Sequence, residues 1–154
     1  MAEFIEFRHS QSWDRHTEVE LRDILSELEP EGRSLVWVIR GLWAIGDITV
    51  LGRTMRDLME ESETSAVGVP LSWQEFVVFA AHARQVIDGN FEAYRDESEI
   101  PSTMAPFDER RASMYEPAQI VIESLDGTLW SVFAREAAIL ERMTMKFSGT
   151  NSAP

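Results

Sequence analysis

Ile120-Val121-Ile122-Glu123-Ser124-Leu125-Asp126-Gly127-Thr128-Leu129-Trp130-Ser131-Val132-Phe133 is the stretch that decides the fold class. Two runs rich in β-branched and aromatic residues flank Asp126-Gly127. That dipeptide suits a two-residue type I′ turn, in which both central residues need positive φ. The spacing predicts an antiparallel hairpin of residues 120–125 and 128–133. In that register Ile120, Ile122, Leu129 and Phe133 share the core face, and Glu123 sits opposite Trp130 on the other.

Downstream of the hairpin, Arg135 to Phe147 reads as a helix with Ala138, Leu140 or Glu141, and Met145 along it, followed by a flexible tail over 148–154. Upstream, Asp96 to Pro117 shows no period and carries Pro101, Pro106 and Pro117, so it reads as a long loop. Asn90 to Tyr94 reads as a strand. Before it, Ser72 and Glu75 have capping-box spacing, with Leu71 placed as a staple against Phe76. Trp73, Phe76, Val77, Ala80, Ala83 and Ile87 form the apolar stripe of the helix that follows, and Asp88-Gly89 is its expected stop.

Gly68-Val69-Pro70-Leu71 reads as a linker or a short edge strand. From about Thr49, Leu51, Met55, Leu58 and Met59 recur at helical spacing, and Glu60, Glu61 and Glu63 follow where negative charge opposes the helix dipole. Those acids therefore point to a role other than helix stability, or to a helix that ends earlier. Leu35-Val36-Trp37-Val38-Ile39 reads as a strand buried on both faces. Arg40-Gly41 is a bend, after which Leu42 to Ile45 continues that strand or returns as a second.

Near the start, Thr17 and Glu20 form a capping box for a helix over 17–29 carrying Leu21, Ile24, Leu25 and Leu28, which Glu29-Pro30-Glu31-Gly32 stops. A short strand is expected around Phe4–Phe7. The expected architecture is a single α+β domain over 1–147, with a mainly antiparallel sheet of about four strands and about four helices.

Composition narrows the chemistry. The chain has 154 residues, 44% of them hydrophobic and 27% charged, and a formal net charge of −13. Thirteen of its 14 basic residues are arginine, with Lys146 the single lysine. A phosphate-binding protein needs a basic face to displace counterions, so nucleic acid is a poor expectation. Cysteine is absent, which rules out disulfides and thiolate metal sites and is compatible with a cytoplasmic location. No basic n-region and apolar h-region open the chain, and Leu35 to Leu51 is interrupted by Arg40 and Asp47 and is shorter than the ~20 apolar residues of a membrane-spanning helix.

Catalytic motifs are missing. Gly41, Gly46 and Gly52 lack the spacing of a phosphate loop or a dinucleotide fingerprint. His9 and His16 flank Ser10, Ser12 and Asp14 without a metal-binding spacing or a nucleophile elbow, and they read as a surface loop. His82 reads as a helix-boundary histidine with a satisfied hydrogen bond. Neighbouring carboxylates such as Glu60/Glu61, Asp96/Glu97/Glu99 and Asp108/Glu109 arise readily in so acidic a chain and are mostly solvated faces. No enzyme, cofactor or metal site is expected. Trp37 and Trp73 fall on apolar faces and read as core; Trp13 and Trp130 lie in more polar surroundings.

The segments Leu71-Ser72-Trp73-Gln74-Glu75-Phe76, Gln85-Val86-Ile87-Asp88-Gly89-Asn90-Phe91 and the 120–132 hairpin with its closing helix resemble small bacterial cytoplasmic proteins, some of them similar to immunity partners of secreted polymorphic toxins. The resemblance covers about half the chain. It implies an acidic protein-binding module, an immunity or inhibitor protein that occludes a basic toxin or nuclease. The residues expected to meet that partner are Asp57, Glu60, Glu61 and Glu63, then Asp96, Glu97 and Glu99, with Trp130 as aromatic anchor. Against this stand a regulatory or structural subunit whose partner hides Leu42–Leu51 or the 96–117 loop, and a small carboxylate hydrolase. For Trp130 the plainer reading is that it covers the outer face of the hairpin.

Overall fold

The computed structural model describes residues 3–8, 19–102 and 117–147. Thr17, His9, His16, Trp13 and the expected tail lie outside them. In chain order the elements are β1 (Glu3–Arg8), α1 (Leu21–Gly32), β2 (Val36–Gly46), α2 (Met55–Thr64), β3 (Val69–Leu71), α3 (Trp73–His82), β4 (Ala83–Tyr94), β5 (Ile120–Leu125), β6 (Leu129–Ala134) and α4 (Ala137–Lys146). Short 3₁₀ turns occupy Thr49–Leu51 and Glu97–Glu99. The result is an α+β fold.

Among the described residues all the strand pairings are antiparallel, in the order β1-β6-β5-β4-β2-β3, giving a sheet of six strands where about four are expected. The two additional ones are the short edges β1 and β3, both of which the sequence had marked as strand candidates. Helices α1, α3 and α4 contribute Leu21, Ile24, Leu25, Leu28, Phe76, Phe79, Ile139, Leu140 and Met143 to a core against one face of the sheet. At its centre the Phe76 and Phe91 rings stack at 5.2 Å and Trp37 lies 4.8 Å from Phe76, centroid to centroid.

The Ser72 capping box forms as expected: Glu75 N–H donates to Ser72 Oγ at 3.1 Å, and Ser72 N–H donates to Glu75 Oε1 at 3.0 Å. The helix it starts ends at His82, not at Asp88-Gly89. Residues 83–88 leave the helix because the far half of β2, running on through Ala44, Ile45 and Gly46, needs a partner strand, and Ala83, Gln85 and Val86 supply it. Gly89 lies inside β4, where a Cβ would come 3.1 Å from the Phe91 ring. β2 itself is one strand that bulges between Arg40 and Trp43, with Gly41 at φ +57 taking the irregularity. It does not return as a second strand.

Helix α1 starts one turn later than the Thr17 cap implied, on a capping box of Glu20 and Asp23, and it runs through Pro30 to Gly32. Two contacts hold that last turn: Trp37 Nε1 donates to Gly32 O at 3.0 Å, and the Arg142 guanidinium donates to Glu27 O and the Glu31 carboxylate. A cation at this end also meets the negative end of the helix dipole. In α4 the buried stripe is Ile139, Leu140 and Met143; Met145 and Ala138 are exposed, contrary to expectation.

The hairpin turn has the predicted conformation, with Asp126 at φ 52 and Gly127 at φ 65. Its loop holds three residues: Thr128 N–H closes the turn on Leu125 O at 3.0 Å, and Leu125 pairs with Leu129. That third residue slips the register by one, and a one-residue slip exchanges faces. Trp130 therefore pairs with Ser124 on the core side, and Phe133 pairs with Val121 on the other.

Candidate functional site

Face alternation along β2 and β4 carries Arg40, Asn90, Glu92 and Tyr94 to the sheet face away from the three core helices, and all four are buried. Glu92 is wholly inaccessible. Its Oε1 accepts from Arg40 Nε at 3.2 Å and Tyr94 OH at 2.5 Å, and its Oε2 accepts from Asn90 Nδ2. The other two nitrogens of Arg40 donate to backbone carbonyls, Nη1 to Ala66 O at 2.8 Å and Nη2 to Pro101 O at 2.6 Å. A carboxylate so enclosed, with both oxygens committed, organises structure and is closed to substrate. Arg40 thereby fastens together two distant stretches: the turn just after α2 and the segment just after the Glu97–Glu99 turn.

Those are the two acidic segments singled out in the sequence. Thr54 caps α2 by accepting from Asp57 N–H at 3.1 Å, and Met55, Leu58 and Ser62 form its buried side. The helix lies along β2 beyond the end of β3 and takes over the duty of an edge strand. Leu42 N–H donates to Ser62 Oγ at 3.0 Å and Ala44 N–H to Met59 Sδ at 3.4 Å. Asp57, Glu60 and Glu63 are exposed, and Glu61 pairs with Arg53. Asp96 caps the Glu97–Glu99 turn, accepting from the Ser98 side chain and its N–H; those hydrogen bonds hold its pKa below the ordinary value. Glu97 is exposed, while Glu99 is half-buried and accepts from Arg95 N–H at 3.4 Å.

Trp130 is not part of this surface. It is 1% exposed, and its Nε1 donates to Val19 O at 3.0 Å in the helix-covered core. The expectation that it anchors a partner fails because the register slip turns it inward. Among the described residues the exposed tryptophan is Trp43, 58% exposed and seated between Leu42 and Ala44, the two residues that α2 grips. Ile45 shares its face and is 48% exposed. Local spacing puts Trp43 in a strand that a partner could hide but does not separate it from the core, because it does not show which side of a bulged strand is buried. Trp37 is core as expected, and Trp73 is half-buried, its ring packed where a Cβ on Gly32 would fall 2.6 Å away.

A groove of about 860 Å³ runs between α1 and α3, lined by Leu25, Trp73, Val77 and Val78 with Arg22 and Arg33 at its margin. Its one lining acid, Glu29, is paired with Arg33. Two converging carboxylates, the requirement of a glycosidase-type centre, are not brought together there. Among the described residues no group of three or more His, Asp or Glu gathers as a metal site, and no helix is long and apolar enough to cross a membrane. His82 closes α3 in an exposed position, and nearby Asp47 has its pKa lowered chiefly by hydrogen bonds from the Thr49 side chain and N–H. No family model, curated protein or solved structure matches the chain.

Proposed function

We propose that this chain is an acidic protein-binding module, an inhibitor or immunity protein that acts in the cytoplasm and neutralises a basic toxin or nuclease by covering its active surface. The observation that carries the reading is the arrangement along β2: an acidic helix is clamped to the strand on both sides of an exposed tryptophan. Long-range attraction from a net charge of −13 speeds encounter with a cationic partner, and the aromatic side chain supplies the short-range contact that slows release. Asp57, Glu60 and Glu63, with Asp96 and Glu97 across the Arg40 clasp, form the charged rim.

The test is capture of partners from the native host on the tagged protein at about 50 mM and about 500 mM salt, a range that spans weak and strong screening. A single basic protein, bound stoichiometrically and associating more slowly as salt rises, supports the inhibitor reading. The second reading, a subunit of a larger complex, draws on the exposure of Trp43, Ile45 and Val50 within the stretch expected to be hidden by a partner. It predicts a complex that forms equally well at both salts. Recovery of nothing at either salt sinks both.

A further inference from the structure

On the sheet face away from the core helices, beyond the buried Arg40, Trp43 is the partner of Asp88 in the β2–β4 ladder, between two register shifts. Alternation back from Asn90 and Glu92 carries Asp88 to that face, and Leu42 and Ala44, both buried in the core, leave Trp43 between them on it. The Asp88 carboxylate is steadied by the hairpin turn, since Asp126 N–H donates to its Oδ1 at 3.0 Å. Ile45 pairs with Gln85 one step further along, and Leu125, 46% exposed, stands on the neighbouring strand β5. An open indole face, a fixed carboxylate beside it and an apolar margin thus lie together on one surface.

We propose that Trp43 and Asp88 together receive an arginine side chain of the protein partner, the indole stacking on the guanidinium while the carboxylate accepts its N–H groups. The proposal rests on the basic-partner reading above and names the group that the partner presents. Charge decides between occupants. An apolar partner surface would strip water from Asp88 without pairing it, which is costly. A second copy of this chain would set Asp88 and the acids of α2 against their own kind. Lysine pairs with the carboxylate and contacts the indole more weakly, because its compact, strongly hydrated ammonium does not stack as a planar guanidinium does.

The experiment titrates nona-arginine and nona-lysine peptides into the whole protein by calorimetry, comparing the unaltered chain with Trp43→Ala, Asp88→Asn and the pair Glu60→Gln/Glu63→Gln. The unaltered protein is expected to prefer the arginine peptide by roughly two- to fivefold, the scale of an exposed cation–π contact. Trp43→Ala removes that preference, and Asp88→Asn reduces it. The glutamine pair weakens both peptides alike and leaves the preference intact. Equal affinity for the two peptides, or a preference that survives Trp43→Ala, overturns the anchor and leaves the basic-partner reading standing. Failure of both peptides to bind overturns that reading as well. Sedimentation of the unaltered chain gives a further check, because a dimer that dissociates on Trp43→Ala would assign this face to a second copy and reject the proposal.

Discussion

On the helix-covered face of the sheet, Trp37, Ile39, Phe91, Ile122, Trp130 and Val132 are buried among apolar neighbours. On the opposite face the same strands bury Arg40, Asn90, Glu92, Glu123 and Ser131 beside a small apolar cluster of Val38, Tyr94, Val121 and Phe133. The first face draws its stability from area removed from water, a gain that is spread over many residues and falls off gradually as groups are trimmed. The second depends on hydrogen bonds made between charged groups in a dry place, where losing one partner strands the other. One sheet therefore has a side that tolerates adjustment and a side that does not, and it is Arg40 on the second side that ties the two acidic segments together.

The largest effect that would sharpen this contrast is expected from Glu92→Ala. It leaves Arg40 buried without its counter-charge, a loss of about 3–5 kcal/mol in denaturant unfolding. A cost below about 1 kcal/mol would mean that the buried pair does not organise that face. Next comes Trp130→Ala, which opens a cavity in the helix-covered core and strips a donor from Val19 O, for a similar loss of about 3–5 kcal/mol. Trp43→Ala is the internal control. With its ring in the open, its effect on stability should stay within about 0.5 kcal/mol, and a large effect there would break the distinction between the buried tryptophan and the exposed one.

Ser72→Ala removes the reciprocal cap of α3 and should cost about 1 kcal/mol, measurable in the same unfolding series. The smallest effect concerns pH. Asp47 and Asp96 have pKa values held below the usual 3.8, chiefly by side-chain hydrogen bonds from Thr49 and Ser98. A depressed carboxyl stabilises the fold above its unfolded pKa, and that contribution disappears as pH falls through the lower folded value. The stabilisation is thus present at neutral pH and is lost below about 3.8. Acid titration of Asp96→Asn followed by NMR should show a slightly shallower loss of order around Glu97–Glu99, and an identical acid limb would show that this cap contributes nothing.

Much of the fold was legible because its signals are local. Asp126-Gly127 announced a turn with two positive φ values, Ser72 and Glu75 announced a helix start, and Leu21, Ile24, Leu25 and Leu28 announced a helical stripe; each depends on residues within a few positions of one another. Local signals lose where distant groups compete. Ile87 fits a helical stripe as well as a strand, and pairing of its neighbours Val86 and Asp88 with β2 draws it into β4. Pro30 reads as a stop, and yet α1 continues because Trp37, Trp73 and Arg142 all use its last turn. At the candidate site the acids of α2 and of 96–99 could be read off the chain, whereas the Arg40 clasp that joins them spans 26 and 61 residues of sequence.

Composition and short-range spacing alone carry the α+β class, the acidic character, the Ser72 cap, the Asp126-Gly127 turn and the run of carboxylates on α2. Which tryptophan is buried and which is exposed follows from tertiary packing. A single extra loop residue, Thr128, exchanges the faces of the hairpin and sends Trp130 into the core, while a bulge at Gly41 and the grip of α2 on Leu42 and Ala44 leave Trp43 in the open. Strand side chains alternate with a period of two, so which face each one occupies is settled by register, and register is settled by what packs against the sheet.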